Sequence, residues 1–395
     1  MKKTVLILTC LCLFVCGMTA AISDSGGSTP YVAWKNGPPK DPGYFPIAVW
    51  LQDPGDAAAY KKAGITLYVG LWQGPTEEQL SQLRAAGMQA ICSQNEVGLK
   101  YIDDPVIVGW MHGDEPDNAQ QPVVDGVWSP PILPEKIIND YHEVQKKDPS
   151  RPVLLNLGQG TAWNNYIGRG VRRNHPEDYR EYAKGGDIVS FDIYPVTSRA
   201  PEVKGNLWLV PRGVERLRRW TDYRKIVWNC IETTKIRAPR RATPHELRSE
   251  VWMSIVHGSM GIVYFVHEWQ PETDTRKLLH DPEMLEAVTA VNMQIHELAP
   301  VINSPTVYFG AEANSSNPAV PVDLLTKRYN GDMYVFACAM RNDATNVKFL
   351  VTGLGEKAVA EVIGENRTID MERGSFEDSF EPYGVHIYKC VTLED

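Results

Sequence analysis

The sequence predicts an α/β fold, a (β/α)8 TIM barrel followed by a small C-terminal antiparallel β-sandwich. Three observations carry that reading. Between residues 45 and 267, eight short runs rich in Val, Ile and aromatics recur, most followed by an amphipathic helical stretch. The runs are continuous rather than alternating, as in strands buried on both faces of a parallel sheet. From about Ser304 the pattern changes to alternating segments separated by turn residues, as antiparallel strands require.

The eight runs are 45–51, 65–72, 88–93, 106–111, 152–157, 187–194, 225–231 and 261–267. Helix signals sit between them. Asp53-Pro54 precedes a helix that Gly64 stops, and Pro75-Thr76-Glu77-Glu78 opens one that ends at Gly87. Pro134-Glu135 opens a helix toward Lys147. Thr243-Pro244-His245-Glu246 reads as N-cap, first-turn proline and capping box, and Asp281-Pro282-Glu283 opens a last helix running to about Leu298. The stretch 96–104 allows only a short turn of helix. An open doubly wound sheet is the competing architecture, but Leu51-Gln52-Asp53-Pro54 offers no glycine-rich phosphate loop after the first strand. The barrel is expected over 45–303 and the sandwich over 304–395, with strands at 322–328, 333–340, 346–351, 358–363 and 385–388.

Ahead of the barrel, Lys2 and Lys3 precede an apolar run over 5–17, and small residues follow at Thr19-Ala20-Ala21. This predicts a signal peptide over 1–21 and an exported protein: periplasmic, cell-surface or extracellular. Leu13-Phe14-Val15-Cys16 offers the alternative of a lipid anchor at Cys16, although Val15 is bulky where that motif wants a small residue. Residues 22–44, rich in Gly, Ser and Pro, read as a linker and lead-in. The formal charge of -9 argues against nucleic acid as a partner and favours a neutral one. Beyond the leader, Cys92, Cys230, Cys338 and Cys390 lack the paired spacing of a zinc site. Cys338 and Cys390 share the last domain, and pairing between them is open. No cofactor or metal is expected.

In a barrel of this kind, function gathers where strands end at their C-termini. The residues there are Trp72 after the second strand, Asn95 after the third, and His112, Asp114 and Glu115 after the fourth. Asn156 ends the fifth, Asp192 and Tyr194 the sixth, Glu232 the seventh, and His267 and Trp269 the eighth. Carboxylates and amides hydrogen-bond sugar hydroxyls, and indole faces stack on pyranose rings. Glycosidic cleavage needs two carboxyl groups flanking one bond. Strands four and seven lie roughly opposite each other, so Glu115 and Glu232 are the candidate pair.

Trp110-Met111-His112-Gly113-Asp114-Glu115-Pro116 and Val227-Trp228-Asn229-Cys230-Ile231-Glu232-Thr233 together resemble the clan A glycoside hydrolases. The resemblance implies a retaining β-glycosidase with Glu115 as acid/base and Glu232 as nucleophile. It also implies that Tyr194, in Phe191-Asp192-Ile193-Tyr194-Pro195, hydrogen-bonds the nucleophile and that Trp269 floors the reacting sugar. The chain departs from the pattern at Asp114, where the clan has Asn, and in lacking an Arg within 65–74. Asp114 is then a turn cap, a sugar ligand or a support for Glu115. Two rivals are an inverting hydrolase and a barrel that binds glycan without cleaving it. Arg169, Arg172 and Arg173 read as solvated or paired with acids, or else as the border of the cleft.

Overall fold

The computed structural model describes residues 29–124 and 127–393. The expected signal peptide and the Cys16 anchor lie outside the described residues.

The barrel strands are β1 (Ile47–Trp50), β2 (Leu67–Val69), β3 (Gln89–Cys92), β4 (Ile107–Met111), β5 (Val153–Leu157) and β6 (Ile188–Phe191). They continue with β7, in two parts (Ile226–Val227 and Asn229–Glu232), and β8 (Ile262–Phe265). All neighbours pair in parallel. The first part of β7 pairs with β6, the second with β8, and β8 pairs with β1, so the ring closes through a strand interrupted at Trp228. Side chains alternate between two dry layers. Ala48, Val69, Leu154, Ile188, Trp228 and Val263 fill the barrel interior, while Val49, Tyr68, Leu155, Val189 and Tyr264 face the helices.

Among the described residues eight α-helices surround the sheet: α1 (Ala57–Lys62), α2 (Glu77–Ala86), α3 (Glu96–Lys100), α4 (Pro134–Lys147), α5 (Asp178–Tyr182), α6 (Leu209–Trp220), α7 (Pro244–Val256) and α8 (Pro282–Ile302). Their ends follow the sequence signals. Thr76 and Thr243 each close a capping box, with Gln79 and Glu246 respectively. Gly87, at φ 63°, ends α2 in the left-handed conformation that glycine tolerates best. Helix α8 runs past the expected Leu298 and through Pro300, because Leu298, Ala299, Val301 and Ile302 are all buried and their packing offsets one lost backbone hydrogen bond.

The lead-in before the barrel does more than link. Tyr31 is buried at the N-terminal end of the barrel, its hydroxyl donating to Met260 O (3.0 Å) and accepting from Trp228 Nε1 (2.9 Å). It plugs the end opposite the strand C-termini.

The C-terminal strands are β9 (Ala311–Ser315), β10 (Val322–Tyr329), β11 (Asp332–Ala339), β12 (Thr345–Val351), β13 (Lys357–Val362), β14 (Arg367–Glu372), β15 (Ser375–Phe380) and β16 (Val385–Thr392). They pair antiparallel in the order β9-β12-β15-β14-β13-β16-β11-β10. Strands from across that order share one core: Val335, Phe349, Ala360, Phe376 and Tyr388 pack together, with the Phe349 and Phe376 rings stacked at 4.7 Å. Cys338 and Cys390 are buried free thiols. The outer face of β11 packs on α7, where Trp252 stacks on Phe336 (5.6 Å) and Ser249 Oγ donates to Tyr383 O (2.7 Å).

Candidate active site

The C-terminal end of the barrel collects its polar groups around one amide. Asn156 sits at the end of β5, facing inward and 2% exposed. Its Nδ2 donates to Asp114 Oδ1 (2.9 Å) and Asp192 Oδ1 (3.0 Å), and its Oδ1 accepts from Ser190 Oγ (2.6 Å). Tyr194 Oη donates to the other Asp192 oxygen (2.8 Å). Asp114, Asn156, Asp192 and Tyr194 therefore form one hydrogen-bonded unit. The tyrosine that the resemblance assigns to the β7 carboxylate gives its proton to Asp192 instead.

Glu115 lies beside this unit on a constrained turn. Its φ is 43°, a left-handed value that costs a non-glycine residue roughly 1 kcal/mol or more. The turn is held from both sides. Glu115 N donates to Asn156 O (3.2 Å) and Asn118 N donates to Glu115 O (3.0 Å). Two residues on, the fully buried Asp117 accepts from Gly158 N (2.8 Å) and from Tyr179 Oη (2.7 Å). Arg169 Nε donates to Asp117 O (2.9 Å). Asp117, which the sequence reading left unassigned, thus anchors the turn that presents Glu115.

Burial, then the charges of Asp192, Asp114 and Asp117, hold the Glu115 carboxyl well above the ordinary range. Burial also raises Asp192, against the donors Asn156, Cys230 and Tyr194. Asp114 is pushed up to about 7 by burial first and Asp192 second. Its side chain is nevertheless exposed at the mouth, where water tempers the burial contribution. The Asp192 charge, across the shared amide, is the firmer cause. Near neutral pH such a group of acids shares protons, and burial together with the neighbouring acids pushes Glu115 toward its protonated form.

Glu232, fully buried at the end of β7, is set differently. Its two oxygens accept from Val196 N (2.7 Å) and Thr197 N (2.9 Å), both in the segment after β6. Burial raises it to about 7 against those donors, and Glu246 on α7 adds to the rise. Behind it, also on α7, Glu250 is fully buried with neither carboxyl oxygen partnered; burial and then Glu232 raise it well above the ordinary range. Among the described residues no hydrogen bond joins Glu232 to Glu115, and each feels different charges: Asp192, Asp114 and Asp117 for Glu115, Glu246 for Glu232.

The remaining candidates divide. His267 is buried beside β1, its Nε2 2.7 Å from Gln52 Nε2, with its ring edge-on to Trp269 (5.3 Å); burial lowers its pKa. Trp269 is half-buried next to it, and Trp72 stands two-thirds exposed after β2. His112 turns toward the helical layer, with Nε2 2.7 Å from Gly185 O, and burial lowers it too. Asn95 caps α3: its Oδ1 accepts from Gly98 N (2.8 Å) and its Nδ2 donates to Pro75 O (2.9 Å). Neither His112 nor Asn95 is bonded to the Asn156 unit. Arg169 and Arg172 both donate to Asp178, and Arg173 to Asn165. No three His, Cys, Asp or Glu side chains among the described residues converge as a metal ion would require.

No protein-family model matches the sequence, and no curated protein matches it either. The fold does have solved likenesses. An α-amylase from Geobacillus thermoleovorans, solved with acarbose, superposes with TM-score 0.53 at 12% identity, over 92% of this chain and 100% of that one. A variant of AmyP solved with maltotriose gives 0.55 at 10% identity, covering 89% and 98%. A putative α-galactosidase from Bacteroides fragilis gives 0.51 at 10%, covering 89% and 80%. At these identities the likeness is one of fold: a TIM barrel with a C-terminal β-domain.

Proposed function

We propose that this protein is a glycoside hydrolase in which Glu115 donates the proton to the leaving oxygen and Glu232 is the attacking carboxylate. The observation that carries the reading is Glu115 itself: a strained, anchored carboxyl at the mouth, pushed toward its protonated form by burial first and then by the acids around it. That is the state a general acid needs before the reaction. The Asn156 unit beside it supplies oxygens and a hydroxyl that match sugar hydroxyls. The fold likenesses include proteins solved with maltotriose and acarbose.

The steps follow from the two roles. Glu115 gives its proton to the glycosidic oxygen as the bond from the anomeric carbon breaks. Glu232, its charge steadied by Val196 N and Thr197 N, attacks that carbon and forms a glycosyl ester. Glu115, now ionised, takes a proton from water, and the oxygen of that water displaces Glu232. The anomeric configuration is retained after two inversions. The motif pattern supports a β-bond in a neutral glycan, although the fold likenesses include α-amylases.

One observation favours a second reading. Both Glu232 oxygens are occupied by backbone donors, whereas Asp192 is the charge that acts most on Glu115. In this alternative, Asp192 is the partner carboxylate. A screen of purified protein against neutral α- and β-linked oligosaccharides, with NMR of the first anomer released, tests the reading. Retained configuration and loss of turnover in both Glu115→Gln and Glu232→Gln are expected. Full turnover in Glu232→Gln with loss in Asp192→Asn transfers the role to Asp192, and an inverted first product removes the double displacement.

A further inference from the structure

The chain carries -9 overall, yet one flank concentrates cations without neutralising them. On α6, Arg212 and Arg216 have no carboxylate within 4 Å among the described residues. Arg216 is half-buried and held by neutral groups alone: it donates to Ala162 O (3.3 Å) and Asn164 Oδ1 (2.7 Å), and its guanidinium lies 4.6 Å over the Trp220 ring. Trp220 stacks in turn on Tyr179 (5.3 Å, 13° between planes). The guanidinium is therefore fixed in place by stacking and amide contacts, leaving its charge uncompensated. Burial and then the Arg212 charge push Arg216 down to about 10, with Arg219 adding to the fall.

Arg216, Arg180 and Arg219 line a cavity of about 420 Å³ together with Trp220, Pro176 and Glu177. Arg180 and Arg219 have only distant acid partners, Asp222 at 3.8 Å and Glu215 at 3.7 Å. Glu177 is engaged by His175 at 2.7 Å. Three guanidiniums thus face one cavity-lining carboxylate, and planar guanidinium forks match the oxygens of a tetrahedral oxyanion. The place matters as well. Ala162 and Asn164, which hold Arg216, belong to the segment that leaves β5 at the mouth of the barrel, a few residues beyond Asn156.

We propose that this cavity binds a tetrahedral oxyanion carried as an ester on a saccharide that also lies at the β5 side of the mouth. The oxyanion chemistry stands on the arginine geometry alone; the saccharide rests on the glycoside hydrolase reading, with the ester carried outside the reacting bond, in place of a glycan neutral throughout. The negative charge of the rest of the chain does not oppose this, since screening confines it to roughly 8–10 Å at physiological salt.

The test uses the full chain carrying Glu115→Gln, so that a bound saccharide stays intact, and four probes: inorganic sulfate, inorganic phosphate, a sulfated galactan tetrasaccharide and its desulfated counterpart. Calorimetric titration is expected to show the sulfated chain binding at least tenfold tighter than the desulfated one. Adding Arg180→Gln and Arg219→Gln, both at exposed positions that tolerate substitution, is expected to abolish that difference while leaving the desulfated affinity unchanged. Equal affinity for the sulfated and desulfated chains overturns the ester site. Inorganic sulfate or phosphate binding as tightly as the sulfated chain, and lost in the double variant, overturns the saccharide and leaves a free-oxyanion site. If the wild-type protein cleaves no glycan while the arginine-dependent preference holds, the catalytic reading fails and this site stands.

Discussion

Replacing Asp192 with Asn separates the electrostatic part of the proposed mechanism from its framework. Asp192 is the strongest of the charges acting on Glu115, and both carboxyls lie in the polar cluster at the mouth. A nearby like charge disfavours the ionised carboxyl, so its removal is expected to lower Glu115, while burial, the larger cause, stays in place. The sign is fixed by the role: a general acid works only while protonated, so its pKa sets the alkaline limb of kcat/KM. In Asp192→Asn that limb moves to lower pH. Asp114→Asn, which removes a weaker charge, moves it in the same direction by less. The assay is kcat/KM from pH 4 to 10 on an oligosaccharide whose leaving group needs protonation, with thermal melting to confirm an intact fold. An alkaline limb that stays put in Asp192→Asn, or moves upward, refutes the assignment of Glu115 as the acid held protonated by its neighbours.

Two further predictions concern stability. Arg151 and Asp148 form a buried pair 2.9 Å apart, with Asp148 also accepting from Trp110 Nε1 at 2.9 Å. Arg151→Met is expected to cost about 3–5 kcal/mol at neutral pH. Because donors from Ser150, Trp110 and Arg151 hold Asp148 below its ordinary value despite burial, the pair's contribution is present above about pH 4 and lost in acid. A stability difference between variant and parent that does not shrink as pH falls well below about 4 contradicts this. Glu250→Gln has the opposite signature. Glu250 is raised by burial and by Glu232, so its cost to folding grows as pH rises above its unfolded value of about 4.3. The variant is expected to melt higher than the parent at pH 7 and to lose that advantage near pH 4, with a gain on the order of 1–3 kcal/mol from removing an unpartnered buried acid. A variant less stable at pH 7 removes the reading of Glu250 as unpartnered.

Much of the barrel was legible because each strand is buried on both faces and so stands out as a continuous apolar run bounded by helix signals. Caps such as Thr76, Thr243 and Asp281 fall where the side-chain chemistry requires. The interruption of β7 was not legible, since Trp228 lies inside a run that reads as one strand and its bond to Tyr31 comes from a residue far away in sequence. In the C-terminal domain, β14 and β15 were missed because Arg367–Glu372 and Ser375–Phe380 expose most of their polar residues and offer few buried ones. Strand ends showed which residues gather at the C-terminal end of the barrel, but not the orientation of each side chain. A register shift beside Ala90 and Ile91 alters the simple alternation near β4, and His112 points to the helices. Asn95 carried a signal that was overlooked: an Asn just before a helix, three residues from Gly98, is an N-cap. Asp117 could not be read from sequence, because Gly158 and Tyr179 are 41 and 62 residues away.

The most direct test of the two-carboxylate mechanism is azide rescue of the alanine variants, with the anomer of the product read by NMR. Glu232→Ala is expected to regain turnover and yield a glycosyl azide of inverted configuration, and Glu115→Ala to yield one of retained configuration. Rescue of Asp192→Ala to an inverted azide, with Glu232→Ala left unrescued, would contradict the pairing of Glu115 with Glu232.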